Sequence, residues 1–220
     1  MIIYLFKFLF YFILYIGIDY SLGERLQGKY YLIHSLNNLY VMYLTYNDFY
    51  LSYADLYNYN IYPKNIDATI ITFSLHFYHL VYYFDKLRFD DWLHHILMIV
   101  FALPLSMAVN GGCLVGHSLF FTTGLPGCID YFMLFLVRNK WMKRIKEKKY
   151  NNYINLWIRA PGCTSHAVLT TIVMLNNSSN FNLYEKFIAI LTALLVYWNG
   201  IYFMNQVVVN YSEVRNKLKN

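Results

Sequence analysis

DDWLHHILMIVFALPLSMAV, residues 90–109, decides how this chain is read. Two acids, a tryptophan and a His-His pair open it, and a long apolar run follows. An ionisable residue inside a bilayer is expensive, so histidines at the start of such a run mark a working site rather than filler. A membrane-crossing helix needs about 20 predominantly apolar residues, within a range near 17–25. Residues 92–109 meet that length.

Working outward, comparable segments occur at 2–18, 30–46, 66–84, 113–137, 155–176 and 184–210. The expected fold is therefore all-α: a polytopic membrane helix bundle with about six to seven transmembrane helices. The segment at 30–46 is the weakest, because His34 opens it and Asn37 and Asn38 interrupt it. The segment at 2–18 carries Lys7 but no small-residue cleavage site, so it reads as a retained span rather than a removable signal peptide. The domain division that follows has three parts. Residues 1–29 form a signal-anchor span and short loop, 30–212 a transmembrane domain, and 213–220 a cytosolic basic tail.

Composition agrees. Hydrophobic residues make up 58% of the chain and charged residues only 14%, against roughly 25% charged in soluble domains. The 24 tyrosines and 17 phenylalanines suit the aromatic belts at membrane interfaces. The net charge of +6 is distributed, not patched: the run from Arg138 to Lys149 reads as one short loop between apolar segments, so no nucleic-acid partner is expected. Cys113, Cys128 and Cys163 have neither a disulfide-framework count nor a CxxC spacing.

Lysine and arginine set the orientation. With seven spans, fourteen of the 18 basic residues fall on one side, including Arg25, Lys29, Lys86, Arg88, Lys217 and Lys219. That side, with the C-terminus, is expected to be cytosolic. The sequons at Asn176 and Asn177 then lie on the opposite side, with an unused sequon the expectation.

Polar residues within the spans are the candidate site. His76 and His79, three apart, share a helix face. Asp91 is three and four residues before His94 and His95, within helical reach of either imidazole, where a carboxylate fixes a ring's tautomer. Gly124, Pro126 and Gly127 are expected to break or kink span five, and Ala160-Pro161-Gly162 span six. Asp130 and Arg159 are placed to neutralise each other, and His166 lies mid-span. By depth, His76, His79, His94, His95, Asp91, Asp130 and Arg159 fall in the middle or cytosolic half, whereas His117 does not. A polar cavity between spans three to six is the economical arrangement. The HxxH and HH spacings do not make the HxxxH and HxxHH boxes of membrane di-iron enzymes, so no metal and no cofactor is expected.

The stretch DDWLHHI resembles the TLC-domain family, whose members carry an Asp shortly before a His-His pair at the start of a span. GHSLFFTTGLPGCIDYFMLFLVRN, residues 116–139, is similar to that family's fifth-span region. The resemblance covers roughly residues 30–212. It implies a protein of lipid metabolism or lipid homeostasis in the endoplasmic reticulum or another endomembrane, with membrane lipids as partners. By likeness to the ceramide synthases it implies acyl transfer from acyl-CoA to a lipid amine. His94 and His95 would then be the catalytic pair and Asp91 its orienting acid, with His76, His79, Asp130, Arg159 and His166 around the substrate. The chain departs from those enzymes after the pair, where Ile-Leu-Met-Ile-Val-Phe replaces their longer polar motif and Asp pair. A non-catalytic lipid-binding or regulatory protein, or a small transporter, fits the same residues. No feature sets the oligomeric state.

Overall fold

A computed structural model of the chain describes residues 2–23, 26–87, 89–108, 111–177 and 181–218. Arg25, Arg88 and Lys219 lie outside these residues, as do the serines of the two sequons, and the side chains of Asp90 and Asp91 are likewise not described. Seven helical runs account for nearly all the rest, and among the described residues there is no strand. They are α1 (Ile2–Ser21), α2 (Lys29–Ala54), α3 (Ile66–Tyr82), α4 (89–108), α5 (Cys113–Arg138), α6 (144–176) and α7 (Leu183–Lys217). Each expected span lies largely inside one of them. Three of the seven, α1, α5 and α7, are long and apolar enough to cross a membrane; Trp92–Ala108 in α4 is apolar but shorter.

Neighbouring helices alternate in direction. Asn65 at the start of α3 donates to Asp48 Oδ2 near the end of α2 at 2.8 Å, while His79, late in α3, stacks on Tyr30 at the start of α2. Along α5 and α6 the pairs run His117–His166, then Arg159–Thr122, in opposite order. Helices α1 and α3 run parallel, tied by Lys7–Asp67 at one end and Tyr78–Asp19 at the other. One end of the bundle thus gathers residues near 19–29, 79–95 and 130–151, which hold most of the basic residues. The other gathers 53–66, 107–117 and 166–185.

Helix α1 is bound into this bundle. Asp19, buried at its end, pairs with Lys29 Nζ at 2.7 Å and accepts hydrogen bonds from the Tyr78 and Tyr83 hydroxyls. Tyr15 donates to Asn37 at 2.6 Å.

Helix α2 shows why its hydropathy is low. It buries Ser35, Asn37, Asn38, Thr45, Asp48 and Ser52, and turns Leu36, Leu39, Tyr43, Tyr46 and Tyr50 outward. Its inward side mixes these polar residues with Ile33 and Val41, while its outward side is mainly leucine and tyrosine, so apolar residues are not gathered on the buried side. Small residues on α5 let this polar face approach. A Cβ on Gly116 would sit 1.9 Å from Asp48 Oδ2, and one on Gly127 2.5 Å from Asn38 Nδ2.

At the prolines expected to break or kink spans five and six, the helices are not interrupted but change their winding. Helices α4, α5 and α6 each contain one π-helical stretch, at Leu97–Ala102, Phe120–Gly124 and Asn155–Arg159, and each ends two residues before a proline: Pro104, Pro126 and Pro161. A proline ring clashes with the carbonyl four residues earlier. Here that carbonyl (Val100, Thr122 or Trp157) lies in the π stretch. The residue before each proline instead donates five residues back, as Leu125 does to Phe120. The wider turn absorbs the ring and the helix continues.

Two further boundaries move. The basic stretch expected as a loop over 138–153 is helical from Arg144 and runs straight into the sixth segment. The tail at 213–217 is the last turn and more of α7 rather than a separate piece.

Candidate functional site

Five of the seven histidines converge near the basic end of the bundle, from three helices: His34 on α2, His76 and His79 on α3, His94 and His95 on α4. His79 Nδ1 and His95 Nε2 share a hydrogen bond of 3.0 Å. The His76 ring lies 5.2 Å from those of both His94 and His95. His34 lies 4.8 Å from His79 and 4.4 Å from the Tyr131 ring. Tyr30 stacks on His79 with centroids 3.8 Å apart. Four of the five histidines are buried, and His94 is partly exposed.

Helical spacing explains the α3 and α4 contributions. Residues three apart share a face, which aims His76 and His79 together. Adjacent residues diverge by about 100°, which separates the roles of the α4 pair. His95 points inward to His79. His94 meets His76 and the Phe203 ring on α7, 5.6 Å away, and lines a cleft between α4, α5 and α7. That cleft holds about 60 Å³ of space accessible to water-sized groups and opens to the outside. Its walls are mainly apolar, with Leu97, Leu119, Val196 and Trp198 among them. Ser118, Thr122 and Asn199 supply polar points.

The other expected site residues fall elsewhere. Arg159 lies with its guanidinium over Phe203, 5.4 Å from the ring centre, so Phe203 touches both it and His94. Arg159 does not pair directly with Asp130. It donates to Asn155 Oδ1 and to the Thr122 carbonyl, each at 3.3 Å. The second bond has a local cause: Pro126 has no N–H with which to meet that carbonyl. His166 joins His117 toward the opposite end, rings 5.7 Å apart, and is not among the five. His117 there meets the Tyr53 hydroxyl at 3.2 Å, which in turn hydrogen-bonds Ser165.

Two features are absent from the sequence reading. His34, read only as opening the weak span at 30–46, is carried to His79 because α2 packs antiparallel to α3. Glu147, Asn151 and Asn155 form a buried ladder with Arg159 along α6. Asn155 Nδ2 donates to Asn151 Oδ1 at 2.5 Å, Asn151 Nδ2 to Glu147 Oε1 at 3.4 Å, and Asp130 interacts with Asn151. The four-residue spacing was the available signal, masked by the basic residues between.

No known protein family, curated protein or solved structure matches the chain.

Proposed function

We propose that this chain is a divergent TLC-like integral membrane protein that works on membrane lipids, with the histidine cluster as its working site. The single observation that carries the reading is the position of His94. It belongs to the cluster and also lines the apolar cleft between α4, α5 and α7. A lipid whose chain occupies the cleft presents its polar head to the imidazoles.

All seven helices cross the membrane in this reading. The outward leucines and tyrosines of α2 support it, since a bilayer rewards apolar residues outside and demands that polar ones be satisfied within. So does the alternation of helix direction. The basic end then faces the cytosol, in the endoplasmic reticulum or another endomembrane.

The reaction is acyl transfer from a thioester such as acyl-CoA to a lipid amine. The amine nitrogen attacks the thioester carbonyl, a C–N bond forms as the C–S bond breaks, and His94 takes the amine proton and returns it to the leaving thiolate. Base assistance of this kind contributes about 10²–10⁴-fold. By its place three and four residues before His94 and His95, Asp91 is the acid proposed to orient the pair.

The test is acyl transfer in microsomes bearing the full chain, measured with a thioester donor and a long-chain amine. His94→Ala is expected to lower the rate by at least about 100-fold while the protein still inserts. His94→Gln, which keeps a hydrogen-bonding side chain but moves no proton, separates catalysis from binding. Full activity in His94→Gln would overturn the acyl-transfer reading and favour non-catalytic lipid binding.

A further inference from the structure

We propose that His76, His94 and His95 bind a divalent first-row transition-metal ion. This rests on reading the histidine cluster as the working site and adds the group that it holds. One potential ligand nitrogen from each of the three lies within 4.8 Å of the others. Nitrogens bound at about 2.0–2.1 Å in a tetrahedral site stand roughly 3.3 Å apart, so small side-chain rotations close the set.

His76 makes the case specific. It is 5% exposed, and neither of its ring nitrogens has a hydrogen-bond partner among the described residues. Buried polar groups are nearly always paired, and an exception in a folded protein calls for a cause. Interhelical hydrogen bonding, the ordinary use of a polar residue between membrane helices, does not account for a ring that makes none. A ligand role does, because the ring faces two further imidazoles, and imidazole suits Zn²⁺, Fe²⁺, Ni²⁺ and Cu²⁺.

The surroundings have the form such a centre needs. The bond from His79 to His95 is an outer-shell contact that fixes ring orientation. His94 faces the cleft, so the position not taken by histidine opens toward it. Three protein ligands and one open position characterise catalytic rather than structural zinc sites. An ion here occupies the His94 lone pair, so metal loading and the imidazole-base role of His94 exclude each other.

The test uses the full chain, purified in detergent without a polyhistidine tag, stripped with chelator and titrated with Co²⁺. Bound metal is counted by elemental analysis, and coordination is read from the visible ligand-field band. One Co²⁺ per chain is expected, with the intense band of a four- or five-coordinate site. His76→Ala and His94→Gln should each weaken binding by more than about 100-fold, beyond the usual cost of losing an outer-shell partner. The His117→Ala, His166→Ala double variant should bind as the wild type does. If His76→Ala does not fold, His94→Gln decides. No stoichiometric Co²⁺, binding indifferent to both cluster variants, or loss only in the His117 and His166 variant would overturn the proposal. Acyl transfer by metal-free protein would remove the ion from the reaction, whereas metal binding without any lipid activity would leave this site standing and sink the lipid reading.

Discussion

The histidine cluster and the α6 ladder are both buried and polar, yet they are built in opposite ways. The ladder is local: Arg159, Asn155, Asn151 and Glu147 step back along one helix at four-residue intervals, and each donates a hydrogen bond to the next. It also reaches across to the carbonyl that Pro126 leaves open. The cluster is assembled from three helices, its rings stack more than they bond, and the His76 nitrogens have no hydrogen-bond partner among the described residues. Satisfied polar networks rigidify an interior, while unsatisfied groups carry a cost that packing alone does not return. The difference is one of degree, because Arg159 Nε, Glu147 Oε2 and Asp130 Oδ1 also lack hydrogen-bond partners among the described residues; a chain of bonds along one helix suits holding, and the cluster is the site proposed for work.

Removing the ladder's charge should have the largest effect. Arg159→Met keeps much of the side-chain volume but leaves the Thr122 carbonyl without its donor and Glu147 and Asp130 with less compensation. Breaking buried charge networks costs about 3–5 kcal/mol. Thermal unfolding in detergent should show a loss of that order, and stability within about 1 kcal/mol of wild type would deny the ladder its structural role.

The interface of α2 with α5 comes next. Gly116→Ala places a methyl 1.9 Å from Asp48 Oδ2, and overpacking of this kind costs about 1–3 kcal/mol. The same assay should register it, and Asp48→Ala in the same chain should recover part of the loss. An unchanged melting profile would mean that α2 does not seat its polar face on α5.

His76→Phe should cost least. It fills a similar volume and removes two ring nitrogens that lack partners, a change expected to alter stability by less than about 1 kcal/mol in either direction. A loss as large as that of Arg159→Met would make the cluster structural and erase the distinction.

Helix positions were legible from apolar runs, although only α1, α5 and α7 carry the length and apolarity to cross a membrane by themselves, and the basic end was legible because lysine and arginine are counted without knowing the fold. What escaped was contact between distant segments. His34 looked isolated because nothing local brings α2's first turn to His79. The α6 ladder was hidden among lysines, and its helix was read as a loop. The prolines were read as breaks or kinks because local rules price a lost N–H and a clash, and do not show that a wider turn relieves the clash while Arg159 meets the carbonyl that Pro126 leaves open. In the site, His76, His79, His94 and His95 come together as their spacings suggested. His166 instead sits with His117, and Arg159 turns to Asn155 and Thr122 rather than to Asp130.

The most direct measurement is the lipid profile of cells carrying the wild-type chain, the His94→Ala, His95→Ala double variant, or the His117→Ala, His166→Ala double variant, at equal membrane abundance. If the cluster is the working site, the first double variant should match cells without the chain, and the second should match the wild type. A wild-type profile from the His94 and His95 variant, or a null profile from the His117 and His166 variant alone, would contradict the account.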